Sequence, residues 1–137
     1  MRIFCPSDDT VCVIPDTLMG IAERVVKKAW GSEFWIVNTD KYCVKILEVL
    51  PGMRCSLHYH DRKDETFILL DGTVNLETGA LGEKKNLRTG DRVHIAPRVV
   101  HRFGSPMVAR ILEVSTTHSD EDVVRLEESG PIPYHER

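Results

Sequence analysis

The sequence predicts an all-β fold, a sandwich or barrel, on two observations. Turn formers recur at short intervals: Gly31, Asn38-Thr39-Asp40, Pro51-Gly52, Asp71-Gly72, Thr78-Gly79, Gly90-Asp91 and Gly104-Ser105-Pro106. Between them lie short runs rich in Val, Ile, Leu and aromatic residues, the pattern of many short strands joined by tight turns. At 137 residues the chain is one domain by length. No internal repeat or low-complexity tract interrupts it.

Taken in order, residues 1–22 are expected to form an N-terminal arm and residues 23–137 the single folded domain. Asp16 follows Pro15 and can cap a helix over Thr17–Lys28, although Arg24-Val25-Val26-Lys27-Lys28 equally suits an edge strand. Strands are expected near Phe34–Val37, Tyr42–Leu50, Arg54–His60, Thr66–Leu70 and Thr73–Glu77. Three more follow near Arg92–Ala96, His101–Phe103 and Ala109–Ser115.

Composition narrows the function classes. Hydrophobic residues make up 42% and charged residues 28%, as in an ordinary globular domain. A formal net charge of −3 gives no electrostatic reason to expect nucleic acid or an anionic membrane as partner. The longest apolar runs, such as Phe67-Ile68-Leu69-Leu70, are too short for a transmembrane helix. Met1-Arg2-Ile3-Phe4-Cys5-Pro6 runs into Ser7-Asp8-Asp9 without the apolar stretch of a secretory signal. Cys5, Cys12, Cys43 and Cys55 form no Cys-x-x-Cys pair, so reduced thiols and a cytoplasmic protein are expected.

The chemistry concentrates on four residues. His58 and His60 are one residue apart, so on a strand both side chains point to one face. Glu65 lies past the charged turn Asp61-Arg62-Lys63-Asp64, and a hairpin returns it to that face. His101 opens a later strand after Pro97-Arg98-Val99-Val100. Three imidazoles and a carboxylate converging inside a barrel suit a divalent ion such as Zn, Fe, Mn or Ni.

Glycines bracket both clusters. Gly52 is followed after five residues by His58, after one by His60, after four by Glu65 and after six by Gly72; ten residues separate Gly90 from His101. This resembles the two motifs of the cupin superfamily, and the first matches at every position. In the second, Ala96 holds the proline position, the proline has slipped to Pro97, Arg98 stands for the inner glycine and Ser105 for the asparagine. The resemblance implies a cupin jelly-roll β-barrel with the metal held by His58, His60, Glu65 and His101.

A narrower resemblance rests on Ala29-Trp30-Gly31, Tyr42-Cys43-Val44-Lys45, Pro51–Leu57, His101-Arg102 and Glu113-Val114, with Glu121–Arg125. These look like the cupin domain of type II mannose-6-phosphate isomerases, with Ala29 replacing a usual Pro and His58 a usual Gln. That domain often follows a nucleotidyltransferase domain; none is visible in these residues, so nucleotide-sugar synthesis is not expected of them.

With His58 and His60 inward, strand parity sends Arg54 and Ser56 inward too. A guanidinium there either binds a substrate anion such as phosphate or pairs with a structural carboxylate. Lys45 is a second candidate for substrate contact, its alternative a solvated strand lysine. Met53, Cys55, Leu57 and Tyr59 take the opposite face, which is expected to be covered by a second subunit or by the arm; a homodimer is the expected state. His94 alternates with Val93 and Ile95 and should point away from the metal. His118 and His135 receive no role, Asp120-Glu121-Asp122 reads as a solvated turn, and Trp30 and Trp35 as core or interface packing.

The resemblance implies a metal-dependent isomerase that interconverts an aldose and a ketose of a small sugar or sugar phosphate through a metal-stabilised enediolate. Glu65 or Glu113 would move the proton, and Arg54, Lys45 and Arg102 would hold the phosphate. Two alternatives keep the site: an iron-dependent cupin dioxygenase, and a non-catalytic carbohydrate-binding cupin.

Overall fold

The computed structural model describes Leu18 and residues 20–137, together with the backbone of two short strands ahead of them. Those two, β1 (Ile3–Phe4) and β2 (Val11–Cys12), pair with each other. The others are β3 (Arg24–Lys28), β4 (Gly31–Asn38), β5 (Cys43–Val49), β6 (Met53–Arg54), β7 (Leu57–Tyr59), β8 (Glu65–Asp71) and β9 (Val74–Thr78). They continue with β10 (Glu83–Leu87), β11 (Arg92–Ile95), β12 (His101–Ser105), β13 (Ala109–Ser115), β14 (Val124–Glu127) and β15 (Gly130–Pro131).

Two antiparallel sheets face each other in the expected jelly roll. One runs β11-β8-β13-β5-β4-β3. The other runs β10-β9-β12-β6-β15, with β7 joining β12 to β14. The long central strands alternate as their sequences require: along β5, Cys43, Lys45, Leu47 and Val49 are buried and the residues between them are not. Register then aligns the inward sets, with Lys45 opposite Glu113, Leu47 opposite Ile111 and Val49 opposite Ala109.

One end of the space between the sheets is closed by apolar packing. Phe103 meets Trp30 edge-on with ring centroids 5.0 Å apart, and Phe67 meets Phe103 at 5.8 Å. Leu47, Leu69, Leu76 and Ile111 complete this layer, each no more than 2% exposed. Burying one such side chain stabilises the fold by about 1.5–3 kcal/mol. Gly31 lets β4 pass close to β5: a Cβ there would lie 1.8 Å from the Glu48 carbonyl oxygen, so no larger residue fits.

Three expectations need correction. The helix over Thr17–Lys28 does not extend beyond one turn, in which the Ala22 N–H reaches the Leu18 carbonyl at 2.9 Å; Arg24–Lys28 is instead the edge strand β3, hydrogen-bonded to β4. Val25 and Val26 each find a partner there that an isolated helix would not offer. The strand expected over Arg54–His60 is broken at Cys55-Ser56 into β6 and β7. That break resets the side-chain parity, so Met53 and Cys55 pack into the core with the histidines' side of the sheet, and no second subunit is needed to cover them. Finally, the polar strands β10 and β14 carried no apolar alternation to reveal them; in β10 Leu87 alone is buried. The arm over residues 1–22 lies almost wholly outside the described residues.

Candidate metal centre

The polar end of the same space is built by four elements. His58 lies in β7, directly opposite His101 in β12; His60 follows β7, and Glu65 opens β8. The three imidazoles offer ligand atoms that all lie within 4.8 Å of one another. Glu65 Oε2 sits 3.4 Å from His60 Nε2 and 3.2 Å from His101 Nε2. The four residues that the sequence singled out are thus brought together.

Each imidazole is oriented by a backbone carbonyl. His58 Nδ1 is 2.8 Å from the Ser56 oxygen, His60 Nδ1 2.6 Å from that of Asp122, and His101 Nδ1 2.9 Å from that of Val99. A carbonyl only accepts, so each Nδ1 carries the proton and donates it, which leaves a lone pair on each Nε2. Burial, with the neighbouring His101 imidazole, pushes the His58 pKa down to about 3, and burial likewise lowers that of His60. Both rings are therefore neutral and able to ligate. Glu65 Oε2 and His101 Nε2 are buried and have no hydrogen-bond partner, an arrangement that costs free energy unless something bridges them. A divalent cation fits this donor set: three neutral nitrogens, one carboxylate, and two orphaned atoms aimed at the same point.

Asp122 anchors the turn between His60 and Glu65. Its carboxylate accepts the backbone N–H groups of Asp61 and Lys63 at 2.9 Å and that of Arg62 at 3.1 Å, while its carbonyl holds His60. The acidic run expected to be a solvated turn therefore contains a buried clamp, with Asp122 only 6% exposed.

His58, His60 and Glu65 line the floor of a cavity of about 400 Å³, with His101 buried behind them. Its wall carries Lys45, Lys63, Glu113 and His118, and Trp35, whose ring stacks under Arg24 and Lys45. Lys63 Nζ and Glu113 Oε2 form a buried ion pair at 2.8 Å. Burial alone would raise the Glu113 carboxyl, but Lys63 and Lys45 hold it down at about 2. Arg24, Lys28 and Arg125 are the less buried cations of the lining and ring its mouth.

Arg54 and Arg102 are not part of this cavity. The break at Cys55-Ser56 puts Arg54 opposite Gly104, on the outer face of the sheet, where it pairs with Glu136 at 3.4 Å. Arg102 sits on the same outer face, alternating with the inward His101 and Phe103. Its guanidinium donates to the Cys55 carbonyl, to Glu127 and to the Glu128 carbonyl at 2.9–3.0 Å, which uses it structurally. Of the three cations named from sequence, Lys45 alone reaches the cavity. Sequence reading missed Arg24, Lys28, Arg125 and His118. The alternation Arg24-Val26-Lys28 on β3 was an available signal for two of them; Arg125 and His118 are placed by distant pairings, Arg125 opposite His58 and His118 through Asn38. His94 points away as expected, exposed and paired with Asp64.

The slipped second motif is also explained. Arg98, standing where glycine was expected, has φ +68°, and among the described residues it is the one non-glycine in the left-handed region. Its N–H donates to the His60 carbonyl at 2.6 Å, so the turn keeps its form despite the Cβ.

Comparison with known proteins agrees with this picture. Residues 19–128 match the family model described as "Mannose-6-phosphate isomerase C-terminal". A mannose-1-phosphate guanylyltransferase of Sinorhizobium fredii is 27% identical over 103 residues, which cover 72% of this chain and 20% of that protein. A D-lyxose/D-mannose isomerase of Thermosediminibacter oceani is 29% identical over 113 residues, covering 63% of this chain and 61% of that protein. The chain thus spans about a fifth of the first relative's length and under two thirds of the second's. Among solved structures, a double-stranded β-helix protein from Klebsiella pneumoniae superposes with a TM-score of 0.63 at 16% identity, covering 81% of this chain and 95% of that one. That likeness establishes the fold. No helix among the described residues is long and apolar enough to cross a membrane.

Proposed function

The chain belongs to the mannose-6-phosphate isomerase C-terminal family, a sugar-related group of cupins, and from that premise we propose that it is a metal-dependent isomerase interconverting the aldose and ketose forms of a sugar or sugar phosphate. The observation that carries this reading is the convergence of three Nε2 lone pairs, preset by backbone carbonyls, beside a cavity walled by cations. His58, His60, His101 and Glu65 would hold the ion. Bound there, a divalent metal supplies Lewis acidity to a carbonyl and its neighbouring hydroxyl.

The protein's own residues supply the rest. Arg24, Lys28 and Arg125 at the mouth suit a phosphate on the far end of an open-chain sugar, replacing the role first given to Arg54 and Arg102. Trp35 backs the wall and holds Arg24 and Lys45 over its ring, and the buried floor keeps bulk water from the reacting carbons. A base must then carry a proton between C1 and C2. The activity named for the Thermosediminibacter relative supports aldose-ketose chemistry on this fold; the mouth cations favour a phosphorylated substrate.

The test is proton NMR of the metal-loaded protein with mannose 6-phosphate and fructose 6-phosphate in deuterated buffer. Loss of the C1 or C2 proton signal, stopped by a chelator, is the expected result. Oxygen uptake with an iron requirement would replace the proposal with a dioxygenase. Saturable sugar binding without exchange across a panel of aldoses and ketoses would make the protein a binding module.

A further inference from the structure

The cavity wall holds a set of groups that neither binds the ion nor closes on itself. Lys45, on β5, is 1% exposed. Its Nζ lies 3.0 Å from His118 Nδ1, 3.7 Å from Glu33 Oε1 and 4.1 Å above the centre of the Trp35 ring. It also faces Glu113 from β13, Lys63 from the turn before β8 and Cys43 two residues back on its own strand. Lys63 already satisfies Glu113, and its own Nζ is 3.3 Å from the same His118 nitrogen. The second nitrogen of His118, Nε2, is 2.8 Å from Asp120 Oδ1, a carboxylate 80% exposed at the cavity rim. A carboxylate accepts, so Nε2 carries the hydrogen and Nδ1 presents a lone pair to the amines. A continuous hydrogen-bonded line therefore runs from a buried amine to bulk solvent.

We propose that Lys45 is the catalytic residue that carries the substrate proton between C1 and C2, and that His118 and Asp120 are positioning residues that exchange this proton with solvent. This rests on the isomerase reading and names its missing base. Starting from the aldose, unprotonated Nζ takes the C2 proton and becomes an ammonium. The C2–H electron pair becomes the C1=C2 bond and the C1 carbonyl pair moves onto its oxygen. The C2 hydroxyl then passes its proton to that C1 oxygen, the C1=C2 pair takes the proton back from Nζ at C1, and the pair left on the C2 oxygen closes the ketone. No oxidant or further reactant is required.

Of the two carboxylates named from sequence, Glu65 is taken by the ion in this reading, and charge decides between Lys45 and Glu113. Glu113 is engaged by Lys63 and held so far below the usual carboxylate range that it is a weak base at neutral pH. Burial is the largest influence on Lys45 and lowers its pKa, and Lys63 acts in the same direction against Glu113 and Glu33. A buried lysine moved towards neutrality, next to an acceptor that leads outward, is the chemistry a proton carrier needs.

Two variants and one spectrum test this on the zinc-loaded protein. Lys45→Met should lower turnover by about 10²-fold or more with metal content unchanged; turnover within a few-fold of wild type would overturn the role of Lys45. His118→Phe keeps the edge contact of this ring on Trp35, now 4.7 Å between centroids. It should reduce the deuterium incorporated per turnover and raise direct transfer from C2 to C1. Unchanged incorporation would overturn the relay. Independently of any activity, lysine-labelled ¹⁵N spectra should show the Lys45 amine protons exchanging with water more slowly in His118→Phe. A wild type inactive on every sugar, with that slowing present, would end the isomerase reading and leave the relay standing. Exchange unaffected by His118→Phe would end the relay.

Discussion

The two ends of the barrel are made by the same strands with the same parity, yet they hold opposite chemistry. On β5 the inward residues pass from Val49 and Leu47 to Lys45, and on β13 from Ala109 and Ile111 to Glu113 and Ser115. On β8 they pass from Leu69 and Phe67 to Glu65. One end closes on aromatic and aliphatic packing; the other buries charged and polar groups whose desolvation the first end must offset. The contrast teaches that the alternation of a strand specifies which side chains face inward, and that their identity along its length divides the interior into an apolar part that stabilises and a polar part free to hold a ligand.

The comparison breaks most sharply at the ligands. His60→Ala or His101→Ala should abolish metal binding and turnover together, with the β-sheet circular dichroism retained; metal analysis of the folded variants checks this. At the other end, Phe103→Ala removes the ring between Trp30 and Phe67. It should cost about 3–5 kcal/mol in denaturant unfolding and leave the metal stoichiometry of the folded fraction intact.

Between the extremes lies the ion pair. Glu113→Gln leaves Lys63 buried without its counter-charge and should cost about 3 kcal/mol at neutral pH. The carboxyl moves from an ordinary 4.5 down to about 2 on folding. Its contribution is therefore fully present above pH 4.5 and lost as pH falls through 2. Wild type and variant should converge over that window when unfolding is followed without metal.

Smaller effects sharpen the picture. Asp122→Ala removes the acceptor of three backbone N–H groups in the turn before Glu65. It should weaken metal affinity by about 10- to 100-fold, as read by competition with a chelating dye. Arg98→Gly relieves a left-handed backbone and should raise stability by about 1 kcal/mol in thermal unfolding, leaving metal affinity unchanged.

What the sequence revealed followed the same division. Short-range regularities were legible: the apolar strand runs, the turn glycines, and the spacing that brought His58, His60, Glu65 and His101 to one place. Parity failed where one local irregularity intervened. The break at Cys55-Ser56 turned Arg54 outward, and nothing in the residue types signals it, because the Cys55 N–H donates to the Phe103 carbonyl of a distant strand and Arg54 is paired in register with Gly130 of another. Arg125 and His118 were invisible for a related reason, since each reaches the cavity through a pairing with residues more than sixty positions away. Asp122 looked like surface charge; its partners are backbone groups, which leave no trace in sequence.

We propose that the polar end is a metal site prepared before the ion arrives. Long-range ¹H–¹⁵N spectra of the histidine rings test it most directly, in metal-free protein and then with one equivalent of zinc. The structure predicts that His58, His60 and His101 all carry their proton on Nδ1 in the metal-free state, and that zinc shifts all three Nε2 resonances and no others. Protonated Nε2 nitrogens, or resonances that zinc leaves unmoved, would contradict it.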